Sequence, residues 1–107
     1  MLVIVRFTVP ETDADRFREQ VAAAVAALAT RPGHVSSRLT RALDDPSSWA
    51  LVSEWESVGA YRRALRNPEV RMVSAPVLAG GWLHGEEPTA YEVLWDDVHG
   101  PKTSDRA

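Results

Sequence analysis

The chain has 107 residues, a formal net charge of −3, and acids and bases interspersed along its length. That length sustains one domain with a modest core, and the lack of any basic patch argues against a nucleic-acid partner. Cysteine is absent, which excludes disulfides and thiolate chemistry.

The apolar run at residues 2–5 is too short for a signal core, and no basic segment precedes it. Residues 21–29 fall far below the ~20 apolar residues of a membrane span. The expectation is a cytoplasmic protein with no membrane contact.

Residues 2–9 are β-branched and aromatic and read as a strand. Val3, Val5, Phe7 and Val9 line one face; Leu2, Ile4, Arg6 and Thr8 line the other. Pro10 ends it, and Thr12-Asp13-Ala14-Asp15 resembles a capping box with aspartate in place of Glu or Gln. Ala14, Phe17, Val21, Ala24 and Leu28 then recur at helical spacing, predicting a helix that ends near Thr30, before Pro32-Gly33.

Two alternating runs follow, separated by the turn cluster Asp44-Asp45-Pro46-Ser47-Ser48, and predict a hairpin. Setting Leu43 opposite Trp49 pairs Arg41 with Leu51, Leu39 with Ser53 and Ser37 with Trp55. It also sets Arg38 across from Glu54 as an ion pair. Ser57 is a natural N-cap for a second helix with a Val58, Tyr61 and Leu65 stripe. Asn67-Pro68 restarts a short helix that Pro76 should end. A loop over residues 80–88 carries Trp82 and His84, residues 91–98 read as a last strand, and residues 99–107 as a flexible tail.

The order strand–helix–strand–strand–helix–strand suits an α+β, ferredoxin-like split βαβ fold with an antiparallel sheet and both main helices on one face. The other face holds Ile4, Val52 and Leu94 and needs cover, which a second copy would supply.

Phe17 in the first helix, Pro32-Gly33, the Arg41-to-Trp49 hairpin, Glu54-Trp55-Glu56-Ser57 and the Tyr61 helix resemble the antibiotic biosynthesis monooxygenase family. The resemblance covers the domain expected at residues 1–98. It implies a homodimer forming a dimeric α/β barrel. It also implies oxygenation with no cofactor, neither metal nor flavin, because an ionised phenol or quinol can itself reduce dioxygen. Trp55 and Tyr61 match an aromatic pair that lines the cleft in such members. Where those members often carry an amide on the strand leading to the tryptophan, this chain has Leu51, Val52 and Ser53. The haem-degrading branch of the family uses a histidine on the second helix, and residues 58–66 hold none.

Each candidate has a plain structural reading beside the functional one. Trp55 is either a core aromatic or a cleft residue with an indole N–H to offer. Tyr61 either makes a structural hydrogen bond or meets a ligand. Glu54 pairs with Arg38 or, left alone in an apolar cleft, serves as a base of raised pKa. His84 sits on a loop able to close over a cleft and is the other candidate base, with Trp82 beside it as a candidate substrate contact. His34 and His99 read as solvated. No spacing supports a metal site. The leading function is cofactor-independent monooxygenation of a small aromatic phenol or quinol. The alternative is a non-catalytic dimeric protein that binds a small ligand.

Overall fold

The computed structural model describes residues 1–85 and 88–101. Strand β1 (Leu2–Thr8) leads through a 3₁₀ turn (Glu11–Asp13) into helix α1 (Ala14–Ala29). The hairpin β2 (His34–Arg41) and β3 (Ser48–Trp55) follows, then helices α2 (Val58–Arg66) and α3 (Pro68–Ala79), and strand β4 (Thr89–Tyr91). A small hairpin, β5 (Trp95–Asp96) with β6 (Gly100–Pro101), closes the described chain. The main sheet is antiparallel in the order β2-β3-β1-β4, so the expected ferredoxin-like α+β fold is the one observed.

The core lies between the sheet and the helices. Alternation along β1 and β3 sends Val3, Phe7, Trp49, Leu51, Ser53 and Trp55 to that side. Phe17 of α1 meets the rings of Phe7, Trp49 and Trp82 edge-on, at centroid distances of 4.9, 5.5 and 5.2 Å. A second cluster gathers Val3, Leu28, Trp55, Ala60, Ala64 and Val70 at the other end of the layer.

Two caps fall where the residue types place them. Ser57 Oγ accepts from the Ala60 N–H at 3.0 Å, and Asn67 Oδ1 accepts from the Val70 N–H at 3.1 Å. The expected capping box does not form. Asp13, which precedes α1, makes no side-chain cap bond to its backbone; its carboxylate accepts from Trp82 Nε1 at 3.0 Å and pairs with Arg16 of the first turn at 3.4 Å. A buried indole N–H has few acceptors within reach, so it takes this one.

The hairpin register differs from the expected one by two residues. Arg41 pairs with Trp49, Leu39 with Leu51 and Ser37 with Ser53, and Arg38 stands opposite Val52 rather than Glu54. The cause lies in the turn. Asp45 Oδ1 accepts from the Ser47 N–H (3.0 Å) and the Ser47 hydroxyl (2.7 Å), and the Ala42 N–H bonds the Ser48 carbonyl. Those bonds also hold the Asp45 carboxyl below its usual pKa. Leu43 is left fully exposed at the tip. A shift of two keeps every side chain on its expected face.

Helix α3 runs through Pro76 instead of stopping there. The missing proline N–H costs the carbonyl of Met72 its partner, and Met72 lies on the exposed side, where water can take the bond. On α2 the buried positions are Gly59, Ala60 and Ala64, not the larger stripe residues. Small side chains let this helix lie close to the sheet.

The expected long last strand is only three residues of ladder, with Val3 paired to Ala90. Asp96 Oδ1 then accepts the Val98 N–H at 2.9 Å and folds the chain into the β5–β6 turn. Of the expected tail, residues 102–107 lie outside the described residues. No described helix is long and apolar enough to cross a membrane.

Candidate functional site

Between the two core clusters the layers part and leave a cavity of about 220 Å³. Val3, Val5 and Phe7 of β1 and Leu51 and Ser53 of β3 form its floor. Ala24 and Leu28 of α1 form one wall; Tyr61 and Leu65 of α2, with Ser74, Val77 and Leu78 of α3, form the other. Leu65 and Leu78 are partly exposed, as is Pro88, and they mark the mouth. The lining is apolar except for three hydroxyl groups, those of Ser53, Tyr61 and Ser74.

Tyr61 is the only ionisable side chain among these lining residues. Burial pushes its phenol above the ordinary tyrosine range, so at neutral pH it is a neutral O–H donor. The sign for stability follows. Below the unfolded-chain pKa of about 10 both states are neutral. Above it the unfolded chain ionises first, so the contribution is lost as pH rises. A spectrophotometric titration is expected to show a tyrosine that ionises above the usual range, and Tyr61→Phe is expected to remove it. A titration that is the same in both proteins would refute this environment.

Trp55 stands behind the cavity wall rather than on it, at 1% exposure. Its indole Nε1 donates to Ser53 Oγ at 3.0 Å. Its ring lies 5.7 Å from that of Tyr61 and meets His34 edge-on at 5.1 Å. The fold therefore brings Trp55 and Tyr61 together, with Tyr61 facing the cavity and Trp55 reaching it through Ser53.

The other candidates lie elsewhere. Glu54 points to the opposite sheet face from Ser53 and Trp55, flanked in the ladders by Leu2 and Ser36. His84 contacts Thr8 (Nδ1 to Oγ1, 3.3 Å) and lines a separate polar depression with Arg6, Asp45 and Ser48. Trp82 is core: it packs on Phe17, bonds Asp13 and carries the Arg16 guanidinium 5.2 Å from its ring centre. Neither candidate base touches the apolar cavity. Among the described residues, no group of three or more His, Cys, Asp or Glu side chains is placed to hold a metal ion.

Ser74 falls inside the helix that the sequence predicts between Asn67-Pro68 and Pro76, and no pattern there marks it as facing a cavity. Ser53 was legible only as an inward position on an alternating strand. What marks it out is tertiary: a buried hydroxyl against an indole N–H.

A four-stranded antiparallel sheet with its helices on one face, and an apolar cavity between them lined by a tyrosine and backed by a tryptophan, defines a ferredoxin-like α+β protein. The sequence profile of the antibiotic biosynthesis monooxygenase family matches residues 1–75, and the chain belongs to that family. It is similar to SnoaB, a cofactor-independent oxygenase from Streptomyces nogalater: 29% identity, TM-score 0.69, covering 87% of this chain and 94% of that one. Rv0793 from Mycobacterium tuberculosis shares the fold, with TM-score 0.74 and 21% identity over 90% of this chain and 96% of that one. Protein SchA from Streptomyces halstedii is 44% identical over 67 residues, which is 63% of this chain and 17% of SchA. The 42.8 kDa protein in the whiE locus of Streptomyces coelicolor is 43% identical over 47 residues, 44% of this chain and 10% of that protein. The chain thus spans a small part of both of these longer relatives.

Proposed function

We propose that this protein is a cofactor-independent monooxygenase of a small aromatic phenol or quinol, with the Tyr61 cavity as its active site. The observation that carries the reading is the apolar cleft with neutral hydroxyl donors, in a chain similar over most of its length to an oxygenase. An apolar cleft excludes water, and fixed O–H donors favour negative charge on a bound oxygen. A bound phenolate is electron-rich at its para carbon and can reduce dioxygen. With 1-naphthol the carbon–oxygen bond forms at C4 and the O–O bond breaks. The C4 hydrogen and the phenol proton leave in water, so 1-naphthol and O₂ give 1,4-naphthoquinone and H₂O. The described lining holds no carboxylate or imidazole, so the phenol proton goes to solvent at the mouth. The reading includes a homodimer, in which a second copy covers the outer sheet face and the exposed Leu94, Trp95 and Val98.

The absence of an acid–base pair among the lining residues also favours a second reading, a ligand-binding protein without catalysis. One experiment separates them. With 1-naphthol under ¹⁸O₂, the monooxygenase reading expects one labelled oxygen in the quinone. It also expects a rate about 10-fold lower in Tyr61→Phe, as for one lost hydrogen bond of about 1.5 kcal/mol. Binding of 1-naphthol with no oxygen uptake would leave the second reading in place of the first.

A further inference from the structure

Ser53 is the only buried polar side chain of the described core, at 5% exposure. It sits on β3 between Leu51 and Trp55 and forms part of the cavity floor. A serine hydroxyl has one proton to give and two lone pairs to fill. Trp55 Nε1 fills one lone pair at 3.0 Å. Indole N–H is a donor only, so this bond settles the direction of the pair: the tryptophan donates and the serine accepts. Among the described residues the Ser53 hydroxyl proton meets no acceptor. A buried donor without a partner is costly, and the cavity is the open space beside it.

We infer that Ser53 anchors the ligand, donating its hydroxyl proton to an aryl ketone or phenolate oxygen, with Trp55 as the positioning residue that holds the hydroxyl in that orientation. This rests on the proposed use of the cavity and adds the polarity of what enters it. The ligand presents a hydrogen-bond acceptor to the sheet floor, on an otherwise hydrocarbon body that fits the valine and leucine lining. A hydrocarbon of the same shape leaves the Ser53 donor unpaired and binds less well for that reason. Tyr61 on the opposite wall offers a second donor to the same cavity.

The test uses two probes of one shape, 1-tetralone and tetralin, which differ in the acceptor oxygen. Binding is followed by NMR titration of the protein amides. In Ser53→Ala the tetralone Kd is expected to rise about 10-fold, as for one lost hydrogen bond, while the tetralin Kd stays within about two-fold. Trp55→Phe keeps the serine but frees its hydroxyl to rotate, so a smaller loss confined to tetralone is expected. Should Ser53→Ala fail to fold because the Trp55 N–H is orphaned, Ser53→Cys keeps nearly the same size with only a weak donor, and the same selective loss is expected. Equal weakening of both probes, or no change for either, would overturn the role of Ser53 and leave the cavity a ligand site. Failure of the unaltered protein to bind either probe at millimolar concentration would overturn the use of the cavity as well.

Discussion

Trp55→Ala is expected to cost about 3–5 kcal/mol, the range for deleting a large buried aromatic. The side chain is almost wholly buried, packs against Tyr61 and His34, and joins the sheet to α2. Net stability of a domain this size is about 5–15 kcal/mol, so the variant sits near the threshold of folding. Trp55→Phe keeps a ring and should cost less, mainly the N–H bond to Ser53 and the loss of contact area. Trp49 is the useful contrast. Its indole Nε1 is buried with no hydrogen-bond partner among the described residues, so Trp49→Phe removes ring area but breaks no bond. Urea unfolding of the three variants beside the parent checks the order. Trp55→Ala losing less than about 1 kcal/mol would show that the second core cluster does not depend on it.

Gly33→Ala is the second large effect, and its cause is geometric. Gly33 lies at φ 88°, in the left-handed region where an L side chain costs about 1–2 kcal/mol. A Cβ added there would also collide with the Cβ of Ala60 on α2. Overpacking of that kind costs about 1–3 kcal/mol. The backbone cannot simply withdraw, because the Gly33 carbonyl accepts the Glu56 N–H at 2.8 Å and ties the start of β2 to the start of α2. A combined loss of about 2–5 kcal/mol corresponds to a Tm lower by at least about 10 °C for a domain of this size. The double variant Gly33→Ala/Ala60→Gly removes the collision and keeps the strain. It is expected to be more stable than the two single losses added together. Strict additivity would show that the contact with Ala60 is not the cause.

Both positions were visible in the sequence, but for different reasons than the structure supplies. Pro32-Gly33 read as a helix stop, which it is. That the glycine also makes room for α2 depends on Ala60, 27 positions later in the chain, and no local pattern reports such an approach. Trp55 read as either core or cleft. The structure puts it in the core and passes its influence to the cleft through Ser53, an arrangement that alternation along a strand cannot reveal.

The order of the elements, the faces of β1 and β3, the inward stripe of α1 and the caps at Ser57 and Asn67 followed from the sequence by itself. Each depends on residues within a turn or two of one another, through side-chain periodicity or a local hydrogen bond. Only the tertiary structure decided the rest. The hairpin register moved by two because Asp45 took the Ser47 N–H and hydroxyl, and the strand ladder closed behind that turn. The capping box expected from Thr12 and Asp15 gave way to a start of α1 at which Asp13 holds an indole N–H from 69 positions away. Glu54 and His84 carry the chemistry of bases, yet strand alternation and the path of the loop set them outside the apolar cavity. The cavity itself is enclosed where α2 and α3, restarted at Asn67-Pro68 and continued through Pro76, meet α1 over the sheet, and long-range packing alone determines that gap.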